Sequence, residues 1–143
     1  MPTPEPPPAG EIFVTTQKLR FCDTDRLGHI NNGVYSAMCE AGRSELMLAA
    51  GLLAPGGGHG VVIARLELDF LREMNWPGDI RIETAIHRIG QKSIQVRQHV
   101  HQGETLVARA ASVLAVIDGE KRRAVPITEE WRAALGRWLV PAF

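Results

Sequence analysis

Apolar positions recur at two spacings along this chain, and the spacings divide it into strands and helices. Ile12, Val14, Leu19 and Phe21 alternate loosely through Glu11–Phe21, which predicts a first strand. From Asn32 to about Leu53 the chain is rich in Ala, Met, Leu and Glu with no proline, which predicts one long helix. Ser36, Glu40, Arg43 and Ser44 recur on it at three- and four-residue spacing as a narrow polar stripe. A helix apolar around most of its girth is expected to be buried on most sides. Pro55–Gly60, with four glycines in six residues, ends the helix as a loop. It is no phosphate-binding loop, since no Gly-Lys-Ser/Thr follows.

Four strand-like runs come next: Val61–Glu73, Ile80–Ile89, Ser93–His101 and Thr105–Ile117. The turns Trp76–Asp79, Gly90–Lys92 and Gln102–Glu104 separate them, and turns this short make neighbouring strands antiparallel. A second, short helix follows Thr128, a suitable N-cap, with Glu129 and Glu130 at the positive end of its dipole. Trp131 stands where a capping box would need Glu or Gln. Trp131, Leu135, Trp138 and Leu139 mark its apolar face. The order predicts an α+β domain in which a curved antiparallel sheet wraps a long central helix.

One turn departs from this patterning. Between the first strand and the long helix lie an acid, a glycine, a histidine and two asparagines, in Asp25-Arg26-Leu27-Gly28-His29-Ile30-Asn31-Asn32-Gly33-Val34-Tyr35. Such a cluster suits a site better than a core, because loops on rigid supports carry function. Asn31 or Asn32 is the expected N-cap of the helix.

Composition narrows the surroundings. A chain of 143 residues suits one domain, residues 11–143, behind a proline-rich tail, residues 1–10. Zero formal charge gives no reason to expect nucleic acid or an acidic membrane as partner. No apolar run is long enough for a transmembrane helix, and no signal peptide is evident, so a cytoplasmic location is expected. The two cysteines, Cys22 and Cys39, form no C-x-x-C pair and are read as free thiols, with Cys22 expected to be a small buried hydrophobe rather than a nucleophile.

The run Asp23–Tyr35 matches a D-T-D-x-x-G-H-x-N-N-x-x-Y signature and resembles that of hotdog-fold acyl-CoA thioesterases of the 4-hydroxybenzoyl-CoA type. Glu40 and Arg43, the turn Trp76–Asp79 and the hairpin Arg88–Ser93 are similar to later parts of that family's pattern. The resemblance runs from about Val14 to Pro126. It implies a sheet of five or six strands around one helix, a homodimer or dimer of dimers with sites at the subunit interface, an acyl-CoA substrate and no cofactor. It also points to Asp25, rather than Asp23, as the catalytic carboxylate, and to the backbone amide seven residues later, that of Asn32, as the group that polarises the thioester carbonyl.

The residues are consistent with that chemistry. Thioester hydrolysis needs a nucleophile and a place for charge to collect on oxygen. Asp25 can deprotonate water or attack directly, although an aspartate there can also be a mere turn residue. The first amides of the long helix, at Asn32 or Gly33, have no helical partner and can serve as oxyanion donors. His29 can shape the loop, contact substrate or titrate as an acid or base. Gly28, Asn31, Gly33 and Tyr35 are expected around the substrate: Gly28 as a turn residue, Asn31 as a loop brace, Tyr35 with its hydroxyl near the pocket or as an ordinary core aromatic.

Glu40 is a rival acid, although an i,i+3 ion pair with Arg43 is the plainer expectation. Arg88, Lys92, Lys121, Arg122 and Arg123 are candidates for the coenzyme A phosphates. His99 and His101 share a strand face, but with no third ligand at a useful spacing they are expected to be solvated and to bind no metal. The competing functions are a hotdog acyl-thioester hydratase or dehydratase, whose Asp-x-Asn-Pro-x-His pattern is missing here, and a non-catalytic acyl-CoA binding protein.

Overall fold

Alternation along the strand-like runs folds them into a single sheet, and one apolar helix face closes over it. A computed structural model describes residues 10–53 and 58–143. The expected tail, apart from Gly10, and residues 55–57 of the expected glycine-rich loop lie outside the described residues.

The elements are β1 (Phe13–Lys18), a 3-10 turn (Phe21–Asp23), α1 (Asn32–Ala49), β2 (His59–Phe70), β3 (Asp79–Ile89), β4 (Ser93–Gln102), β5 (Thr105–Asp118), β6 (Arg123–Ala124) and α2 (Glu129–Gly136). The sheet runs β1-β3-β4-β5-β2, every pairing antiparallel, with β6 added to β5. β2 therefore lies at an edge, although it precedes β3 in the chain. Three differences from the sequence reading are local. β1 stops at Lys18 because Phe21–Asp23 turns into the 3-10 helix, α1 ends at Ala49 rather than near Leu53, and β6 had no sequence signal.

α1 is buried along one face, through Tyr35, Met38, Cys39, Gly42, Arg43, Leu46 and Met47. These fall at the three- and four-residue spacing of a single helical stripe. The expectation of burial on most sides is thus corrected for the chain alone, with Ala37, Leu48 and Ala49 exposed. The polar stripe divides as well. Arg43 turns inward and donates to Gln98 Oε1 at 3.3 Å, while Glu40 stays exposed and forms no ion pair with it among the described residues. Burial is the main influence lowering the Arg43 pKa.

Gln98 stands on the inward face of β4 with Ile94, Val96 and Val100. It donates to the Cys39 carbonyl at 2.8 Å and to Thr84 Oγ1 at 3.0 Å. This buried polar cluster joins helix to sheet beside Gly42, where α1 packs tightly on β3 and β4. A Cβ at position 42 would sit 3.0 Å from Gln98 Nε2 and 3.2 Å from Ile82 Cγ2. Apolar clusters pack to either side of it. One gathers Leu19, Ile30, Tyr35, Met38, Met74 and Ile80, and the other joins Leu46 and Met47 to Trp131, Leu135 and Trp138 of the C-terminal segment. α2 is capped as expected, with Thr128 Oγ1 accepting from the Trp131 amide at 3.1 Å. Cys39 is buried and its thiol is pushed up to about 11 by desolvation. Cys22 is exposed, against the expectation of a buried hydrophobe, because the 3-10 turn aims it outward.

Candidate active site

The Asp25 loop is built by its own side chains. Asp25 Oδ1 accepts from the Leu27 amide at 2.9 Å and the His29 amide at 3.2 Å. The Asp25 amide donates to the His29 carbonyl at 2.8 Å, and the Gly28 amide to the Asp25 carbonyl at 3.1 Å. Gly28 sits at φ +82°, a conformation that favours glycine. So Asp25 is a turn aspartate, but the turn consumes one oxygen only. Among the described residues no donor pairs with Oδ2.

The neighbouring acid is excluded by its surroundings. Asp23 is buried, accepts from the Arg20 amide at 2.8 Å and pairs with the Arg20 guanidinium at 3.0 Å. The hydrogen bond from Arg20 lowers its pKa below the ordinary carboxylate value. Its carbonyl accepts from the Asn31 amide at 2.9 Å, and with the Thr24–Ile30 bridge this closes the base of the loop. Asp23 thus anchors the turn that displays Asp25.

At the helix start Asn31 is the N-cap, and its Oδ1 accepts from the Gly33 amide at 2.8 Å. That bond separates the two oxyanion candidates: Gly33 is capped, while the Asn32 amide has no acceptor among the described residues. Asn32 is the first helical residue, where the backbone N–H has no partner within the helix.

A cavity of about 370 Å³ joins these groups. Asp25, Leu27, His29, Ile30, Asn32 and Tyr35 line one side, and Phe70, Leu71, Arg72 and Glu73 the other. Gly28, Asn31 and Gly33 shape the loop and the cap without lining it. Tyr35 is buried; its hydroxyl donates to the Arg72 carbonyl at 3.3 Å and accepts from the Met74 amide at 3.1 Å. Both bonds fix the segment after β2 against α1, and burial raises the Tyr35 pKa. Of the readings left open for Tyr35, the clamp is the one with partners. That segment carries Glu73, whose Oε2 lies 3.2 Å from His29 Nε2. Arg72 and Glu73 escaped the sequence reading, because only the sheet pairing returns the end of β2 to the loop. Their one signal was a pair of opposite charges closing an apolar strand.

Glu40 lines a different, larger cavity of about 590 Å³ between α1 and β2, together with Ser36, Arg43 and Val62. It shares no wall with Asp25. Arg88, Lys92, Lys121, Arg122 and Arg123 are exposed, and none lines the Asp25 cavity. The reading of His99 and His101 as solvated residues without a third ligand is corrected. Glu83 of β3 stands opposite His99 in the sheet register, and donor atoms of Glu83, His99 and His101 all lie within 4.8 Å of one another, each residue partly buried.

Comparison with known proteins bears on this site. The sequence profile of the thioesterase-like superfamily matches residues 19–135. Among solved structures, a protein from Bacillus stearothermophilus described as a predicted thioesterase shares 30% identity, with a TM-score of 0.84 over 91% of this chain and 98% of that one. A 1,4-dihydroxy-2-naphthoyl-CoA thioesterase from Synechocystis shares 18% identity, with a TM-score of 0.77 over 87% and 96%. A Staphylococcus aureus protein solved in complex with CoA shares 14%, with a TM-score of 0.83 over 90% and 84%. No curated protein matches by sequence. Among the described residues no helix is long and apolar enough to cross a membrane.

Proposed function

The chain belongs to the thioesterase-like superfamily and is a thioester hydrolase of hotdog fold, and from that premise we propose that it hydrolyses an acyl-CoA to free acid and CoA at the Asp25 cavity. The observation that carries this reading is the pairing of two unspent groups in one cavity wall: Asp25 Oδ2 and the Asn32 amide. The substrate carbonyl accepts from the Asn32 amide, where the α1 dipole adds positive potential. Asp25, braced by the Leu27 and His29 amides, activates water against the carbonyl carbon or attacks it directly. The tetrahedral oxyanion collapses with departure of the CoA thiolate; attack by water leaves the free acid at once, whereas direct attack leaves an Asp25 acyl anhydride that water then hydrolyses to the free acid and the regenerated carboxylate.

His29 serves first through its backbone, which closes the Asp25 turn on both sides. Its imidazole, held beside Glu73, forms the rim of the cavity. Phe70 and Leu27, both exposed in the single chain, supply apolar contact for the acyl group. A second copy seated along β2 completes the site. β2 is a 12-residue edge strand with exposed Val62, Ile63 and Phe70, and unpaired edges of this kind invite strand pairing.

The test is a panel of short, medium, long and aromatic acyl-CoAs, assayed by release of free thiol, with Asp25→Asn as control. Turnover of at least one class that depends on Asp25 is expected. Binding without thiol release across the panel would leave a non-catalytic binder, and water loss or gain at a double bond would leave a hydratase.

A further inference from the structure

On the face of the sheet turned away from α1, three metal-ligating side chains from two strands converge. Thr84 and Gln98 point toward the helix and meet there. Successive side chains alternate along a strand, so Glu83 and His99 point the other way. They are direct cross-strand partners, and His101 follows His99 by two residues on β4.

The hydrogen bonding of this cluster is incomplete in a specific way. His101 Nε2 lies 2.7 Å from Glu83 Oε1. Yet both ring nitrogens of His101 are buried and neither makes a hydrogen bond among the described residues. The imidazole and the carboxylate therefore approach without the alignment that a shared proton requires. An imidazole nitrogen and a carboxylate oxygen this close, with no hydrogen bond between them, are free to serve as neighbouring ligands of one ion. The walls are also partly desolvated. The side chains of His101 and Glu83 are 17% and 22% exposed, and the Phe143 ring stacks on His99 with centroids 4.1 Å apart.

We propose that Glu83, His99 and His101 form a binding site for one transition-metal ion of the zinc type. Two imidazoles and a carboxylate are the donor set that suits zinc with an open fourth position. Ligand atoms around a tetrahedral zinc stand about 3.3 Å apart, given metal–ligand bonds of about 2.0–2.2 Å. The donor atoms, all within 4.8 Å of one another, lie near that spacing. The ion would tie β3 to β4. None of its ligands lines the Asp25 cavity, so the site is independent of the hydrolytic reading. The rival partner for Glu83 is Arg81, whose Nη2 is 4.0 Å from Oε1, and the variants below separate the two.

The experiment uses the full chain, freed of metal by chelator and gel filtration, in a C22S background so that the exposed thiol binds nothing. Zn²⁺ is titrated against a chromophoric chelator, and Co²⁺ is added in parallel for its visible spectrum. The expected result is one Zn²⁺ per chain and a metal-dependent rise in melting temperature. Affinity should weaken by about tenfold or more in each of E83Q, H99Q and H101Q and stay unchanged in H87Q and R81Q. Substoichiometric zinc, or H99Q and H101Q binding as well as the C22S chain, would overturn the proposal. The Co²⁺ spectrum of the C22S chain decides without reference to any ligand variant. Visible bands of a low-symmetry nitrogen and oxygen site support it, and the spectrum of aqueous Co²⁺ refutes it.

Discussion

Replacing Asn32 with proline isolates the oxyanion donor from everything else at the site. Proline has no backbone N–H, so Asn32→Pro deletes the amide assigned to the substrate carbonyl. The structure accepts the change at this position for two reasons. Asn32 is the first residue of α1, where proline is favoured because the missing N–H has no helical partner. The preceding Asn31 has ψ 136°, outside the α region that a following proline disfavours. Its cap on Gly33 is untouched. Folding stability should therefore be unchanged, or raised by about 0.4–1 kcal/mol through the stiffer unfolded chain.

Activity should respond very differently. Removal of one preorganised oxyanion donor costs about 2.7–4 kcal/mol in the transition state, which is about a 100- to 1000-fold fall in kcat. Asn32→Ala keeps the amide and should stay within about threefold of the parent chain. Steady-state thiol release on the best acyl-CoA measures kcat, and thermal melts measure stability. A proline variant that melts normally and turns over within about threefold of the parent would refute the donor assignment.

Three further outcomes follow from the surrounding contacts. Tyr35→Phe leaves the buried Met74 amide unpaired and should cost about 1–3 kcal/mol, seen as a fall in Tm of about 2–12 °C. It should also lower kcat, because segment 72–74 loses its clamp on α1. Gly42→Ala should destabilise despite the better helix propensity of alanine. The new methyl meets Ile82 and the bound amide of Gln98 at 3.2 and 3.0 Å, and overpacking of about 1–3 kcal/mol outweighs a propensity gain of about 1 kcal/mol; denaturant midpoints at constant m-value measure the net loss. Asp23 has its folded-state pKa lowered by Arg20. Its contribution is thus complete above the ordinary carboxylate pKa of about 4 and is lost as pH falls from there through the lower folded value. Asp23→Asn should be less stable than the parent at pH 6, with the gap narrowing at pH 3 in urea titrations.

The parts of the molecule legible in the sequence were those fixed by local rules. Strand alternation gave the order of the long strands, Thr128 capped α2, and an asparagine capped α1. The Asp25 turn could be located because its aspartate, glycine and asparagine side chains satisfy their own backbone. Contacts set by tertiary return were not legible. Glu73 meets His29 because the segment after β2 passes the loop, and no spacing in the chain announces that. Glu83 meets His99 through the register of the β3–β4 hairpin, which depends on a β-bulge between Ile86 and Arg88. Arg43 lay on an apparent polar stripe. Periodicity assigns a residue to a helix face but does not say which face the sheet covers, and the buried Gln98 is what admits Arg43 to the interior.

Asp25→Asn is the most direct measurement of the central claim. Asparagine keeps the oxygen that accepts from the Leu27 and His29 amides, so the loop should persist, while the carboxylate chemistry at Oδ2 is lost. The expected result is an unchanged melting temperature with kcat/KM for acyl-CoA hydrolysis down by about 100-fold or more. An unchanged kcat/KM on the substrate that the parent chain hydrolyses best would contradict the account.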